Sequence, residues 1–273
     1  RAHVRMRQGD GQRVGGIVRL GVGVDSVDLE AARSLGMWVS YVPDYGTESV
    51  ALHAVTLALA ALRRVPLADT RTKAGEWGFT ELRPLHLPGA LTAGIVGLGR
   101  IGRRVASMLA GVGFDRFLVA DPELGPDDVA AFLPGGRLCS LEELLAEADV
   151  VSLHAPPPAS GHLLGRSELS SMKEGSILVN TARGALVDTP ALVEALRRGR
   201  PAVAALDVFS PEPPRVEDLE PVSDLLILTP HMSWYTEETE LELRRQGAAE
   251  AARLLAGEPP RHPVVSPAEA PAT

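Results

Sequence analysis

Three closely spaced glycines are the clearest chemical signal in the sequence. Gly97, Gly99 and Gly102 follow a short apolar run and precede a helical pattern of apolar residues. In such a turn the first glycine permits the tight bend, the second lets the backbone approach a pyrophosphate, and the third lets the helix pack on its strand. The motif predicts a dinucleotide site formed by Gly97, Leu98, Gly99, Arg100, Ile101 and Gly102.

An acidic residue stands where the ribose of a dinucleotide would lie. Asp121 ends the apolar run 117–120, nineteen residues after Gly102. Its carboxylate would accept hydrogen bonds from both ribose hydroxyls and would repel a 2′-phosphate, which favours NAD over NADP. The alternative is a glycine turn of some other α/β protein, in which Asp121 only begins an Asp-Pro turn.

An arginine, a glutamate and a histidine follow predicted strands further along the chain. Arg183 follows the run 176–180, Glu212 comes five residues after Asp207 at the end of a second run, and His231 follows a third. Parallel strands meet at one edge of a sheet, so we expect these side chains to converge. Arginine binds a carboxylate with two parallel hydrogen bonds, histidine transfers protons near neutral pH, and a glutamate would orient the imidazole. Beside a dinucleotide this set suits hydride transfer at a carbonyl; taken singly, each residue could equally be a surface or capping group.

The elements that would position these residues alternate between strands and helices. A strand running into a glycine-relaxed loop is predicted at 16–24, and further strands are predicted at 37–42, 91–96, 117–120, 149–154, 176–180, 203–207 and 225–228. Helices are predicted at 25–35, 50–64, 105–109, 141–148, 167–172, 190–198 and 237–255. This alternation predicts an α/β fold with a doubly wound parallel sheet that is covered on both faces. We predict a nucleotide-binding domain at residues 45–233 and a smaller domain at residues 1–44 and 234–273.

Other segments carry weaker patterns. Residues 65–90 are predicted to form an irregular connection that contacts a second subunit, and residues 122–140 an acidic loop. The tail from Pro259 is proline-rich and is predicted to be poorly ordered. His53 lies on the predicted helix 50–64, where a lone histidine is more often a polar or partnered residue than a ligand.

Composition excludes several classes of function. The 273 residues carry a formal charge of −8 without a run of Lys or Arg, which disfavours nucleic acid and anionic membranes as partners. The single cysteine forms no internal disulfide, and no apolar run is long enough for a membrane span, so we expect a cytoplasmic protein without a metal site. Residues 1–7 do not resemble a secretory signal, and the absence of an initial Met suggests a trimmed or incomplete chain.

The sequence resembles the D-isomer-specific 2-hydroxyacid dehydrogenases. The matching stretches, in order, are RLGVGVDSVD at 19–28, GLGRIG at 97–102, VNTARGALVD at 179–188, ALDVFSPEP at 205–213 and TPH at 229–231. The resemblance implies a Rossmann NAD domain inserted in a smaller, flavodoxin-like substrate domain. It also implies that Arg183 binds the substrate carboxylate and carbonyl, that His231 transfers the proton, and that Glu212 holds His231.

The resemblance implies further contacts. Asp207 would meet the nicotinamide carboxamide, and Thr181, Ala182, Ala155 and Pro156 would be additional cofactor contacts. The backbone at Val22 and Gly23 would receive the substrate carboxylate. A small 2-keto or 2-hydroxy acid is the expected substrate, NAD the expected cofactor, and a homodimer through the NAD domain the expected assembly.

Within the family, residues 231–235 resemble the branch of the C-terminal-binding-protein corepressors. There Trp234 would face the substrate beside Arg19, which suits an apolar or thioether side chain; the alternative for Trp234 is ordinary packing. Phosphoglycerate dehydrogenase remains an alternative, and formate dehydrogenase is disfavoured because Glu212 stands where that branch has Gln.

Two rival functions stay open. One is an NAD(H)-sensing interaction protein, and the other is a truncated, inactive homologue. Only eighteen residues precede Arg19, whereas the family begins with several more strands and helices. The resemblance therefore implies a substrate domain that is abbreviated at its N-terminus, either by truncation or in the gene itself.

Overall fold

A computed structural model of the protein describes residues 15–159 and 161–267. The chain forms two compact units. The small unit is discontinuous and consists of Arg1–Gly46 and Tyr235–Thr273, whereas the large unit is the continuous segment Thr47–Trp234. Each unit has its own sheet.

The strands and helices of the described residues follow one another along the chain. The strands are β1 (Gly16–Arg19), β2 (Trp38–Tyr41), β3 (Thr92–Val96), β4 (Arg116–Ala120), β5 (Gly136–Leu138), β6 (Val150–Leu153), β7 (Ile177–Asn180), β8 (Val203–Leu206), β9 (Leu226–Leu228) and β10 (Pro263–Val265). The helices are α1 (Leu29–Ser34), α2 (Thr47–Leu62), α3 (Val65–Lys73), α4 (Arg100–Gly111), α5 (Pro126–Phe132), α6 (Leu141–Glu147), α7 (Arg166–Ser171), α8 (Thr189–Leu196), α9 (Val216–Leu219) and α10 (Glu237–Leu255).

The large unit is built on a parallel sheet with the order β5-β4-β3-β6-β7-β8-β9. The central strands β6 and β7 are buried along their whole length, because helices cover both faces of the sheet. A Cβ at Gly94 of β3 would lie only 2.6 Å from the side chain of Leu144, so glycine lets α6 pack closely. The predicted doubly wound α/β fold is confirmed.

The small unit is built on a three-stranded sheet with the order β1-β2-β10. β1 runs parallel to β2, and β10 runs antiparallel to it. Val39 of β2 and Val265 of β10 have no exposed surface and form a small core with Ala32 and Met37. The prediction of a poorly ordered tail from Pro259 is therefore wrong for residues 263–265, because burial of Val265 and pairing with β2 hold this segment.

Two other segments differ from the sequence predictions. Residues 65–90 contain α3, none of whose residues is buried, so the helix shows no apolar period in the sequence. Residues 122–140 contain α5 and β5 rather than an acidic loop. α5 begins with Pro126, and the side chain of Asp128 accepts a hydrogen bond from the N–H of Gly125, so local capping defines this helix.

α2 is an alanine-rich helix with half of its residues buried, and it packs against α4 and β7. No single helix in the part of the chain that the structure describes combines the length and apolar character of a membrane span. α2 and α3 have that length and apolar character only when they are taken together, and the chain bends by 57° at the break between them.

Candidate functional site

The predicted cofactor and catalytic residues of the large unit lie in a row along the carboxyl edge of its sheet. Across the sheet the row contains Asp121 after β4, the glycine turn after β3, Ala155 and Pro156 after β6, Thr181, Ala182 and Arg183 after β7, Asp207 and Glu212 after β8, and His231 after β9. These strands are all parallel, so the residues share one edge. With about 4.8 Å between strands, the row spans roughly 24 Å.

The glycine turn after β3 combines tight packing with one open position. Gly97 has φ of +88°, and its N–H donates to the carbonyl of Ala120 at 2.9 Å. A Cβ on Gly102 would overlap the carbonyl oxygen of Gly97, whereas a Cβ on Gly99 would meet no atom within 4 Å. α4 begins directly afterwards at Arg100, so the first turn of the helix presents its N–H groups at this open side.

Asp121 is tied to the glycine turn. One carboxylate oxygen accepts a hydrogen bond from the N–H of Leu98 at 2.8 Å, and the other accepts from the N–H of Glu123 at 3.0 Å. A carboxylate has about four lone-pair sites, so both oxygens retain acceptor capacity for hydroxyl groups. The side chain that the sequence assigns to the ribose therefore also fixes the shape of the turn.

His154 follows β6 and lies against the glycine turn. A Cβ on Gly97 would lie 2.9 Å from the carbonyl carbon of His154, which shows how closely the two backbones approach. The imidazole Nε2 lies 2.9 Å from the hydroxyl of Ser152. Burial lowers the pKa of His154 to about 4, so this ring is neutral at physiological pH and adds no charge to the site.

The loop after β7 presents Arg183 from a firmly held backbone. The buried Asn180 side chain donates to the carbonyl of Arg183 at 2.9 Å and accepts from the N–H of Ala182 at 3.0 Å. The arginine Nη1 donates to the carbonyl of Ala182 at 2.7 Å. A Cβ at Gly184 would overlap the backbone of Phe209, so glycine is required there. Sequence reasoning did not assign this role to Asn180, although a polar residue closing an apolar strand was a visible signal.

Glu212 and His231 form a hydrogen-bonded pair. His231 Nδ1 lies 2.7 Å from Glu212 Oε2, and the other carboxylate oxygen accepts from the N–H of Phe209 at 2.9 Å. Both side chains are partly exposed, at 47% for His231 and 37% for Glu212. With Nδ1 engaged, Nε2 is the ring atom that remains for exchange of a proton with a substrate.

The backbone of His231 has a left-handed conformation, with φ of +51°. Such a conformation is uncommon for a residue with a Cβ and persists only where its surroundings impose it. Asp207, which has no exposed surface, supplies much of this constraint. Its carbonyl accepts from His231 N at 2.8 Å, Oδ1 accepts from Met232 N at 2.9 Å, and Oδ2 accepts from Ser233 N at 2.9 Å.

The four residues predicted to bind substrate fall in both units. Trp234 lies in the large unit, where its indole N–H donates to the carbonyl of His231 at 3.1 Å. Arg19, Val22 and Gly23 lie in the small unit, at the end of β1 and in the loop that follows. The guanidinium of Arg19 donates to the carbonyl of the next residue, Leu20. The structure thus gives Trp234 a bond to the backbone of His231 that sequence reasoning did not foresee.

The residues of the row fit a dinucleotide cofactor. The hydroxyl of Thr181 is buried at the carboxyl end of β7 and has no hydrogen-bond partner among the described residues, so it can bond to a bound group. The backbone at Gly99 is open, since an added Cβ would meet no atom within 4 Å, and both oxygens of Asp121 retain acceptor capacity for a ribose. Residues 15–159 and 161–267 contain no cluster of His, Cys, Asp or Glu that could hold a metal ion.

Comparisons with known proteins agree with this geometry. Residues 55–233 match the family model described as "D-isomer specific 2-hydroxyacid dehydrogenase, NAD binding domain". The D-3-phosphoglycerate dehydrogenase of Methanocaldococcus jannaschii is 39% identical over 243 residues, which cover 89% of this chain and 46% of that protein. The glyoxylate reductase of Aeropyrum pernix is 39% identical over 251 residues, covering 89% and 74%. The chain spans about half the length of the first curated relatives it matches.

A solved structure shows the same similarity. The D-lactate dehydrogenase of Aquifex aeolicus, complexed with NAD and lactic acid, superimposes with a TM-score of 0.79 at 31% sequence identity, over 89% of this chain and 77% of that one. The predicted NAD cofactor is confirmed by the family model. The chain belongs to the D-isomer specific 2-hydroxyacid dehydrogenase family, and residues 55–233 contain its NAD-binding domain.

Proposed function

We propose that the protein interconverts a 2-keto acid and a D-2-hydroxy acid with NAD(H). The observation that carries this proposal is the pair of Glu212 and His231, with 2.7 Å between Oε2 and Nδ1, on the same sheet edge as the glycine turn. Bound NADH supplies a hydride to C2 of the keto acid. Family membership supports this class of reaction.

The chain's own side chains have separate tasks in the reducing direction. The guanidinium of Arg183 binds the substrate carboxylate and polarises the adjacent carbonyl. Protonated His231 donates from Nε2 to the carbonyl oxygen as the hydroxyl forms, and in the reverse direction the same atom accepts the proton. Glu212 orients the ring through its hydrogen bond with Nδ1.

The test is the loss of NADH absorbance at 340 nm with glyoxylate, pyruvate, hydroxypyruvate, phosphohydroxypyruvate, phenylpyruvate and 4-methylthio-2-oxobutyrate. We expect turnover with at least one of these acids, a loss of kcat of at least about 1000-fold in His231→Ala, and a smaller loss in Glu212→Gln. His262→Ala, an exposed histidine of the small unit, is the matched control and should keep kcat.

The remaining outcomes separate the rival functions. NADH-dependent stabilisation without turnover would contradict the dehydrogenase and favour an NAD(H)-sensing interaction protein. If NADH neither stabilises the protein nor is oxidised by it, the protein is an inactive homologue. Turnover that survives in His231→Ala would overturn the assignment of the proton donor.

The substrate side chain is proposed from Trp234. In the corepressor-like branch that residues 231–235 resemble, this indole forms a wall suited to an apolar or thioether substituent. The relatives named above act on 3-phosphoglycerate and glyoxylate, according to their names, so a charged or a minimal side chain is the competing preference. The ranking of kcat/KM across the six acids decides between them.

We further propose that the large unit is the NAD-binding domain and the small unit is the substrate domain. We also propose that the protein works in the cytoplasm as a homodimer, with residues 65–90 at the contact between the two copies. Trp77, Phe79 and Leu87 of this segment are 94%, 67% and 73% exposed. Large apolar side chains exposed together suit a second copy of the chain. Trp77→Ser with Phe79→Ser should shift the mass measured by sedimentation from dimer to monomer, and an unchanged mass would contradict this interface.

A further inference from the structure

A second histidine of the large unit reaches the loop of His231 through one hydroxyl. His53 lies on α2, and its Nε2 is 3.0 Å from Thr229 Oγ1. Thr229 Oγ1 in turn lies 2.6 Å from Asp207 Oδ1. A carboxylate oxygen only accepts, so Thr229 donates to Asp207 and accepts from an N–H at Nε2 of His53. The direct distance between His53 Nε2 and Asp207 Oδ1 is 3.7 Å, so the hydroxyl is the link.

The loop after β9 needs such support because of its backbone. The left-handed conformation of His231 is unfavourable for a residue with a Cβ, and the bonds from Asp207 must offset its cost. Two of these bonds join Met232 and Ser233 to different oxygens of one carboxylate, so they hold only while the carboxylate keeps its rotation. The short bond from Thr229 fixes that rotation.

α2 contacts the same loop at a second point. Ser49 lies one helical turn before His53, and its hydroxyl donates to the carbonyl of Ser233 at 2.8 Å in a buried position. Residues four apart share a helix face, so one face of α2 holds Thr229 at the start of the loop and Ser233 at its end. Because α2 is half buried against α4 and β7, it is a rigid base for this loop.

We propose that His53 is a positioning residue for His231, acting through Thr229 and Asp207. The proposal rests on the proposed function, since it concerns the proton donor of that reaction. Without the N–H of His53, the Thr229 hydroxyl loses its fixed direction and the Asp207 carboxylate turns. The backbone of His231 then relaxes, and the imidazole no longer points consistently at the substrate oxygen. Arg183, which binds the keto acid in the proposed reaction, lies outside this chain of bonds.

The kinetic test uses variants that differ by one donor. Thr229→Val removes the hydroxyl at nearly constant shape and Thr229→Ser keeps it, while His53→Leu removes the N–H and His53→Gln retains a donor near Nε2. We expect kcat to fall about tenfold in Thr229→Val and His53→Leu, to stay within about twofold in Thr229→Ser, and to recover partly in His53→Gln. KM for the keto acid should change less than about twofold.

Two further comparisons sharpen the kinetic result. The double variant His53→Leu with Thr229→Val should lose no more activity than the worse single variant, because both act through one chain of bonds. Thr56→Val, on an exposed position of α2, is the control and should keep kcat. Losses of kcat that add up in the double variant, or a rise in KM without a fall in kcat, would contradict a positioning role.

Amide hydrogen exchange gives a readout that needs no turnover. In Thr229→Val and His53→Leu we expect the amides of Met232 and Ser233 to exchange at least about tenfold faster, while the amide of Ile95 in β3 keeps its rate. Unchanged exchange at Met232 and Ser233, or an equal increase at Ile95, would overturn the proposal. If the wild-type chain oxidises no NADH with any acid, the proposed reaction fails, and exchange still decides whether His53 fixes the loop.

Discussion

At the scale of single residues, His231 is held through both its backbone and its ring. Its N–H is bonded to Asp207, its carbonyl receives the indole N–H of Trp234, and its Nδ1 is paired with Glu212. Backbone and ring are thus fixed by separate groups. Preorganisation of this kind would hold the proposed proton donor in place before substrate arrives.

Trp234 offers a test that separates two roles of one side chain. Trp234→Phe keeps a large apolar ring but loses the N–H that bonds His231. We expect kcat to fall about five- to tenfold, as for the loss of one hydrogen bond, with the ranking of keto acids unchanged. Trp234→Leu removes the ring as well and should alter that ranking. Steady-state kinetics on the six acids measure both, and an unchanged kcat in Trp234→Phe would show that the indole bond is dispensable.

His154 predicts how stability depends on pH. Its pKa is about 4 in the folded protein and near 6.5 in an unfolded chain. Between these values the unfolded state binds a proton that the folded state does not, so stability falls as the pH drops from about 6.5 to 4, by about 1–3 kcal/mol. Urea unfolding across this range should show a flatter profile for His154→Gln. His86→Gln, at an exposed position, should keep the wild-type slope, and an equal flattening there would contradict the assignment.

At the scale of elements, β3, its glycine turn and α4 form a unit whose three glycines have different tasks. Gly102 is required by packing, since a Cβ would overlap the carbonyl of Gly97. Gly99 is free of neighbours and has φ of −71°, which any residue adopts. We therefore expect folding and cofactor binding to depend on different glycines of the same motif.

This difference gives a matched pair of variants. Gly102→Ala should lower the free energy of unfolding by about 1–3 kcal/mol because the packed turn must open. Gly99→Ala should cost less than about 1 kcal/mol yet weaken NADH binding at least about tenfold, because the methyl group fills the space for the phosphate. Chemical unfolding and fluorescence titration with NADH check the two effects. Equal destabilisation by both variants would contradict this division.

Sequence patterns predicted the elements whose apolar residues recur with the period of a helix or a strand. They missed elements that are short, exposed or stabilised by pairing with a distant segment. α10 begins at Glu237 and ends at Leu255, as predicted, and the predicted strands of the large sheet lie within one residue of their observed ends. α3 has no buried residue, and α5 and β5 are short, so their patterns were too weak to read. β10 was missed because its stability comes from pairing with β2, far away in the sequence.

The candidate site was foreseen only in part for a related reason. The row of side chains follows from strand ends, and the bond between Glu212 and His231 joins two residues that the sequence had already linked. The Asp207 side chain anchors the loop by accepting from backbone N–H groups, which every residue except proline has, so the residue types give no signal of it. The proposed positioning role of His53 depends on its contact with Thr229, which is far away in the sequence, so no local pattern could indicate it.

At the scale of the whole molecule, the two units have separate sheets and separate cores. Stability is therefore expected to be a property of each unit rather than of the chain as a whole. In the small unit, Val265 of β10 is fully buried against β2 and contributes much to a core of few residues.

Removing that side chain should act on the small unit alone. Val265→Ala is expected to cost about 1–3 kcal/mol of stability there and to accelerate amide exchange in β2, with β3 and β6 unaffected. Val216→Ala, at an exposed valine of the large unit, is the control and should change neither. Exchange that rises in both sheets would contradict independent units.

The pairing of Val39 with Val265 also bears on the order in which the molecule forms during synthesis. A ribosome releases β1 and β2 before the large unit, and β10 only after it. Contacts between such distant segments close late, whereas the continuous segment Thr47–Trp234 can complete its sheet while translation proceeds. During that interval the edge of β2 that pairs with β10 is unpaired. Nascent chains stalled before residue 263 should therefore be cleaved by proteases in β2 while β3 to β9 already resist them.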